Sequence, residues 1–339
     1  MQRLVPGWVH RPGQHCASTV LSDLAHFYGS ELSEPFCLGL GAGLGFFYLE
    51  ENSLSPTRTI MSRAHNLEAN FFHDLELPFD WKKESDPEQG WQAARQAIDL
   101  GRPVLFHADI FYLDHYQSKT HFPLHVILLW GYDLEKGTAY IVDTGWEGLI
   151  EIPLASLSRA RYSKDSFVKL DGDFFPVALP RKIERLEAKV SKAILLQAEL
   201  LAGPGPGDSA FEGYSGMRKV AERIFEWPSA PDASWCFRWA YQIIERRGTG
   251  GGAFRKLYAG FLAEAGRAWP RFREIAPFEK LEKIGHKWSE LAMLLKELSE
   301  QSPAAPAGLK KASAWFRELA DSEQEFFEQA ARKLKAAGG

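Results

Sequence analysis

The sequence predicts an α+β domain over residues 1–178 followed by an all-α helical domain over 179–339, and three features of the 339-residue chain carry that division. Apolar residues recur at helical spacing as far as Gly101, give way to short β-branched and aromatic runs, and return to the helical period from about Arg181 onward. A chain of this length fits about two domains. Its 45% hydrophobic content, with 11 Trp and 23 Phe, is enough to fill their cores.

Taken in order, Ala17, Val20, Leu21, Leu24, Ala25 and Tyr28 form one helical stripe that Gly29 stops, so Cys16 opens a helix. A glycine-rich apolar segment follows, then a stripe through Leu67, Phe71, Phe72 and Leu75, and a helix from Pro87 to Leu100 closed by Gly101. Pro103 to Asp109, His125 to Tyr132, Ala139 to Asp143 and Gly148 to Ile152 read as antiparallel strands separated by turn residues. In the second half, Ile183, Leu186, Val190, Ile194 and Leu201 form one stripe, and Phe278, Leu281, Trp288, Leu291, Leu295 and Leu298 another. GPGPGDS, WPSAPDA and SPAAPAG read as loops between helices.

Composition excludes several classes of function. Forty basic and 44 acidic residues, with no long block of either sign, give nothing that draws the chain to nucleic acid or to an anionic membrane. The N-terminus lacks the apolar core of a signal peptide, and the longest apolar run, Cys37 to Leu49, is too short to span a bilayer, so the cytosol is the expected location. Three dispersed cysteines form no CxxC pair, which argues against a disulfide scaffold and a zinc knuckle.

Chemistry concentrates in PGQHCAST. A thiolate is the reactive form of cysteine, and the unpaired N–H groups of a helix start favour negative charge, so Cys16 stands where its pKa falls. The same N–H groups can receive an oxyanion; Gln14 is a candidate side-chain donor to it, with a solvated loop residue as the slightly favoured alternative. For any lone cysteine the competing reading is a small buried residue. His15 is expected to orient the loop rather than to act as a second base.

A base and an acid follow downstream. His125 opens HVILLWGY, and Asp143 closes AYIVD. If these strands form a hairpin pairing Tyr132 with Thr138, Ile127 lies opposite Asp143, and His125 and Asp143 become diagonal neighbours on one face, about 7–8 Å apart between backbones. A one-residue slip turns Asp143 away and makes Asp109 the better acid. His107, His115, His121 and His125 also invite a metal reading, but Pro123 breaks the helical spacing of HFPLH, and no metal or other cofactor is expected. GLGAGLGFF lacks the Walker lysine and a dinucleotide-binding context, which leaves close backbone packing or a substrate-lining loop. In ERRGTGGGAFR, the Gly250 and Gly251 amides and the Arg247 and Arg255 guanidinium groups, with Arg246 beside them, could hold a phosphate. A flexible inter-helix turn with solvated arginines is the alternative.

With GQHCAST, SEPFCLGLGAGLGFFY, GRPVLFHAD and HFPLHVILLWGYD in view, the chain resembles the family of the butirosin-biosynthesis H protein's N-terminal domain. ERRGTGGGAFRKLYAGFLAEA is similar to the helical domain that often follows it. The resemblance implies a papain-like fold of the bacteriocin-processing peptidase type. It also implies a nucleophile at Cys16, a histidine at His125 and an acid at Asp143, and acyl transfer from an acyl-carrier-protein thioester, or another thioester donor, to a small-molecule amine in natural-product assembly. The same three residues would serve a cysteine peptidase or amidohydrolase, or a cyclising release of the thioester. A binding or scaffold protein without catalysis is the third expectation.

Overall fold

The computed structural model describes residues 1–166, 168–203 and 210–338. Of the stretch GPGPGDS, expected as a loop, the residues from Pro204 onward lie outside that description. The fold is α+β with antiparallel sheets and a helical C-terminal part. Among the described residues nine strands are present: β1 (Gln2–Leu4), β2 (Leu44–Glu50), β3 (Arg58–Arg63), β4 (Val104–Ala108), β5 (His125–Asp133), β6 (Thr138–Val142), β7 (Ile150–Pro153), β8 (Phe174–Pro176) and β9 (Ala210–Glu212). No helix of the described residues is long and apolar enough to cross a membrane.

The chain divides into two compact units, Met1–Cys37 with Glu76–Glu184, and Leu38–Leu75 with Arg185–Gly339. This differs from the division at residue 178 drawn from the sequence, because the segment 38–75 packs with the second unit. The reason is long-range pairing that no local period reveals. β2 pairs antiparallel with β3 on one side and with β9 on the other. The Gln197 carboxamide accepts from Leu44 N–H and donates to Leu44 C=O, both at 2.8 Å.

The sheet of the first unit runs β7-β6-β5-β4-β8, and β1 pairs with the far half of β5. Side chains alternate across a strand. Val104, Phe106 and Ala108, Ile127 and Leu129, and Ala139 and Ile141 are buried and cluster with Ala94 and Ile98 of the Pro87–Asp99 helix and with Leu157 and Ala160 of the Leu154–Arg161 helix. His125 and Asp143 extend these rows at the strand ends. The hairpin register matters here. At the turn Tyr132 pairs with Ala139, one residue away from the expected Thr138, but an irregularity between Leu129 and Gly131 absorbs the offset, so that Leu128 faces Val142. Continued one step beyond the end of β6, this register sets Ile127 opposite Asp143. Without that extra residue Asp143 would turn to the other face.

In the second unit, the motif read as a phosphate cradle has a structural role. Arg255 and Glu323 are both fully buried, and Arg255 Nε and Nη2 hold the two carboxylate oxygens at 2.7 and 2.8 Å. Arg255 Nη1 donates to Ala253 C=O at 2.7 Å and to Gly45 C=O at 3.1 Å, and Trp288 Nε1 donates to Glu323 at 2.6 Å. The guanidinium is therefore committed to the interior and does not face a ligand. Gly252 N–H donates to the Glu245 carboxylate at 3.0 Å and Gly251 N–H to Thr249 Oγ1 at 3.1 Å, so an internal carboxylate already sits where a phosphate was expected. Gly250 is exposed, and Arg247 stacks over Trp239 at 4.4 Å while bonding Gln242. Gly252 is required here for a close approach: with φ at +60°, a Cβ would lie 2.4 Å from Gly285 C=O. Glu323→Ala, which strands Arg255 without its counter-ion, is expected to cost about 3–5 kcal/mol in urea unfolding.

Candidate active site

Cys16 is the first residue of the Cys16–Phe27 helix, which packs against β5 within the first unit. His15 is the N-cap, in extended backbone conformation at φ −122° and ψ 133°, and its side chain accepts from Ser18 N–H. A half-buried carboxylate fixes the approach to this helix: Glu34 accepts from Gln14 N–H at 2.9 Å, His15 N–H at 2.7 Å, Ser18 Oγ at 3.2 Å and Thr19 Oγ1 at 3.1 Å. Gly13 N–H donates to Thr144 C=O at 2.9 Å, which ties the cysteine loop to the residue that follows Asp143. A side chain at Gly13 would place its Cβ 2.1 Å from Thr19 Oγ1 and 2.6 Å from Glu34, so the loop needs glycine to pass there. Glu34→Ala, which leaves these donors unpaired, is expected to cost about 1–3 kcal/mol in urea unfolding and to slow alkylation of Cys16.

Two imidazoles flank the sulfur. Cys16 Sγ lies 3.8 Å from His15 Nε2, and His125 is close enough to act on the thiol's ionisation. Burial alone would push the thiol up, but the two imidazoles, His15 and His125, outweigh it and hold the thiol well below its ordinary value. His125 Nε2 meets the two Asp143 oxygens at 2.8 and 2.9 Å, leaving Nδ1 as the ring nitrogen not engaged by the carboxylate. Burial opposes the charged imidazole; Asp143 and Cys16 prevail and raise His125 to about 10. Burial likewise opposes the Asp143 carboxylate, yet His125 and His115 keep it well below the usual carboxylate range.

Three further side chains hold the carboxylate; His115 enters the sequence reading only as a possible metal ligand, and Thr144 and Tyr116 do not stand out there as site residues. His115 Nε2 lies 2.9 Å from Asp143, Thr144 Oγ1 donates to it at 2.8 Å, and Tyr116 hydroxyl donates to it at 3.3 Å while standing 3.3 Å from His125 Nε2. Burial, with the Asp143 and Cys16 charges, pushes Tyr116 above its ordinary value and so keeps the phenol protonated. Trp146, 40% exposed, packs edge-on against His115 at 5.2 Å and Tyr116 at 6.0 Å. The available signal is the loop LDHYQ leading into β5, since a loop entering the strand that carries His125 is held near that strand's start.

The other candidates lie apart from this cluster. Asp109, the alternative acid, is buried and bound by His121 at 2.8 Å, Ser163 Oγ at 2.7 Å and the Phe111 and Phe122 amides. Gln14 is exposed, and its backbone, rather than its carboxamide, makes the bond to Glu34. Among the described residues the N–H groups of Cys16 and Ala17 have no hydrogen-bond acceptor, which leaves two backbone donors at the sulfur's own helix turn. The four histidines read as possible ligands separate: His107 packs against Trp81 in a tilted ring contact at 3.9 Å, His121 pairs with Asp109, and His115 and His125 share Asp143. Among the described residues no cluster of His, Cys, Asp and Glu is arranged to hold a metal ion.

The first unit thus carries a thiol at a helix start, an imidazole beside it and a buried carboxylate behind the imidazole, in the chain order Cys, His, Asp. Two family models match the chain: butirosin biosynthesis protein H, N-terminal, over residues 15–144, and a domain of unknown function, DUF4872, over residues 155–330. The second model covers more than half of the chain, so the chain belongs to the DUF4872 family, with a butirosin biosynthesis protein H N-terminal match ahead of it. The first match contains Cys16, His125 and Asp143. No curated protein matches the chain.

Proposed function

We propose that the protein is a cysteine-dependent acyltransferase that moves an acyl group from a carrier-protein or other thioester, through an acyl-enzyme at Cys16, to an amine. The supporting observation is a thiol at a helix start whose ionisation is eased by His125, with His125 in turn held by Asp143 at 2.8 Å. In the first half-reaction the Cys16 thiolate adds to the thioester carbonyl, the N–H groups of Cys16 and Ala17 receive the oxyanion, and the donor's sulfur leaves with the proton held by His125. In the second, an amine adds to the acyl-enzyme, gives a proton to His125, and Cys16 leaves as thiolate. Asp143 fixes the ring and balances the imidazolium charge. The name of the matched family, butirosin biosynthesis protein H, supports a place in natural-product biosynthesis.

Incubation with an acyl-pantetheine thioester followed by intact-mass measurement tests this reading. An acyl adduct on the wild-type protein, absent from Cys16→Ala, is expected, and addition of an amine should release it as the amide. An undiminished adduct in Cys16→Ala would overturn the assignment of the nucleophile. Release only as the free acid, whatever amine is supplied, would make the activity hydrolytic.

A further inference from the structure

We infer that His15 is a positioning residue for the Cys16 thiolate: a neutral imidazole whose Nδ1 lone pair caps the helix and whose Nε2–H is thereby aimed at the sulfur. Its two contacts lie on opposite edges of one ring. Ser18 N–H meets Nδ1 at 3.3 Å, and Nε2 is 3.8 Å from Cys16 Sγ. A backbone amide can only donate, so the nitrogen it meets must hold a lone pair. In a neutral ring that leaves the proton on Nε2.

The Ser18 hydroxyl, 3.1 Å from Nδ1 and 3.2 Å from Glu34, can turn toward either acceptor, whereas the amide proton is fixed by the helix. The opposite tautomer would set two N–H groups against each other. Helix capping therefore selects the proton position. It also divides labour between the two histidines at the sulfur: His125, held by Asp143, exchanges the proton, and His15 supplies a hydrogen bond without taking one up. Such a donor persists after His125 has given up its proton, which favours sulfur as the leaving group when the acyl-enzyme is attacked.

His15→Asn separates the two roles, because asparagine is a good N-cap and can accept from Ser18 N–H, but it presents no imidazole N–H to the sulfur. The readout is the rate of Cys16 alkylation by iodoacetamide against pH, with thermal unfolding as the check on folding. An unchanged unfolding midpoint and a thiol that titrates at higher pH are expected. A titration displaced upward by about one pH unit lowers the thiolate population on the acid side about tenfold. A more basic thiolate is also more nucleophilic, so the measured rate should fall only about threefold on the acid side and rise about threefold on the plateau. Superimposable profiles would overturn the inference.

Should the asparagine variant fail to fold, nitrogen chemical shifts of His15 in the wild-type protein decide the matter. An unprotonated Nδ1 with a protonated Nε2 is expected, and the reverse pattern overturns it. The inference rests on Cys16 as the nucleophile of the proposed transfer, yet the two fail separately. A wild-type thiol that is acidic but forms no acyl adduct sinks the transfer and leaves His15's role standing. Transfer with a His15→Asn profile like the wild type's sinks this role alone.

Discussion

Cys16→Ala is expected to abolish acyl-adduct formation and to lower single-turnover transfer on the order of 10⁴-fold or more, as removal of a nucleophile from a unit of coupled residues does elsewhere. No other thiol can replace it. Cys37 and Cys236 are fully buried, and burial pushes Cys236 up to about 11. Cys16 is only partly buried and alanine suits a first helical turn, so the variant should unfold at the wild-type temperature. A loss of transfer accompanied by loss of fold would not fit this expectation, since the side chain's structural contribution is small.

Asp143→Asn is expected to give the second largest effect, roughly 10²–10⁴-fold in transfer with little change in donor binding. The carboxylate accepts from His125, Thr144 and Tyr116 and contacts His115; an asparagine in its place would present an N–H group to at least one of these partners and favour the wrong His125 tautomer. The pH profile should change with it. His125 is raised to about 10, chiefly by Asp143 and Cys16 acting against burial, and Cys16 is lowered. The thiolate and imidazolium therefore coexist from the lowered thiol value up to about 10, where His125 loses its proton and the alkaline limb falls. Because the folded His125 value is raised, its ion pair contributes stability that is fully present below the unfolded imidazole's value and is lost as pH rises through about 10. In Asp143→Asn the alkaline limb should move to lower pH. An alkaline limb unmoved by this substitution would show that Asp143 does not set the imidazole's charge.

How far the fold and site are legible in the sequence depends on the range of the interactions involved. The helix beginning at Cys16 is specified by its own apolar stripe, and the strands carrying His125 and Asp143 by local runs, so the three residues can be found in order. Their meeting depends on register. That register is set by the irregularity near Trp130, where β1 lies along the far half of β5, and no nearby turn residue announces it. The segment 38–75 reads as part of the first domain because its partners, β9 and Gln197, are about 150 residues away in sequence. Arg255 reads as ligand-facing because charged side chains usually lie outside. Its burial follows from Glu323, 68 residues later, which nothing in the glycine-rich motif foreshadows. Glu34 escapes notice for a similar reason: its carboxylate serves a loop that ends nineteen residues earlier.

The most direct measurement is the thiolate absorbance of Cys16, taken as the difference between the wild-type protein and Cys16→Ser while pH is raised from acid to alkaline. The expected result is a thiolate already present in mildly acidic solution, with the titration moving upward in His125→Ala. A thiol that ionises only in the ordinary range of about 8–9, indifferent to His125, would contradict the ionised pair on which the chemistry depends.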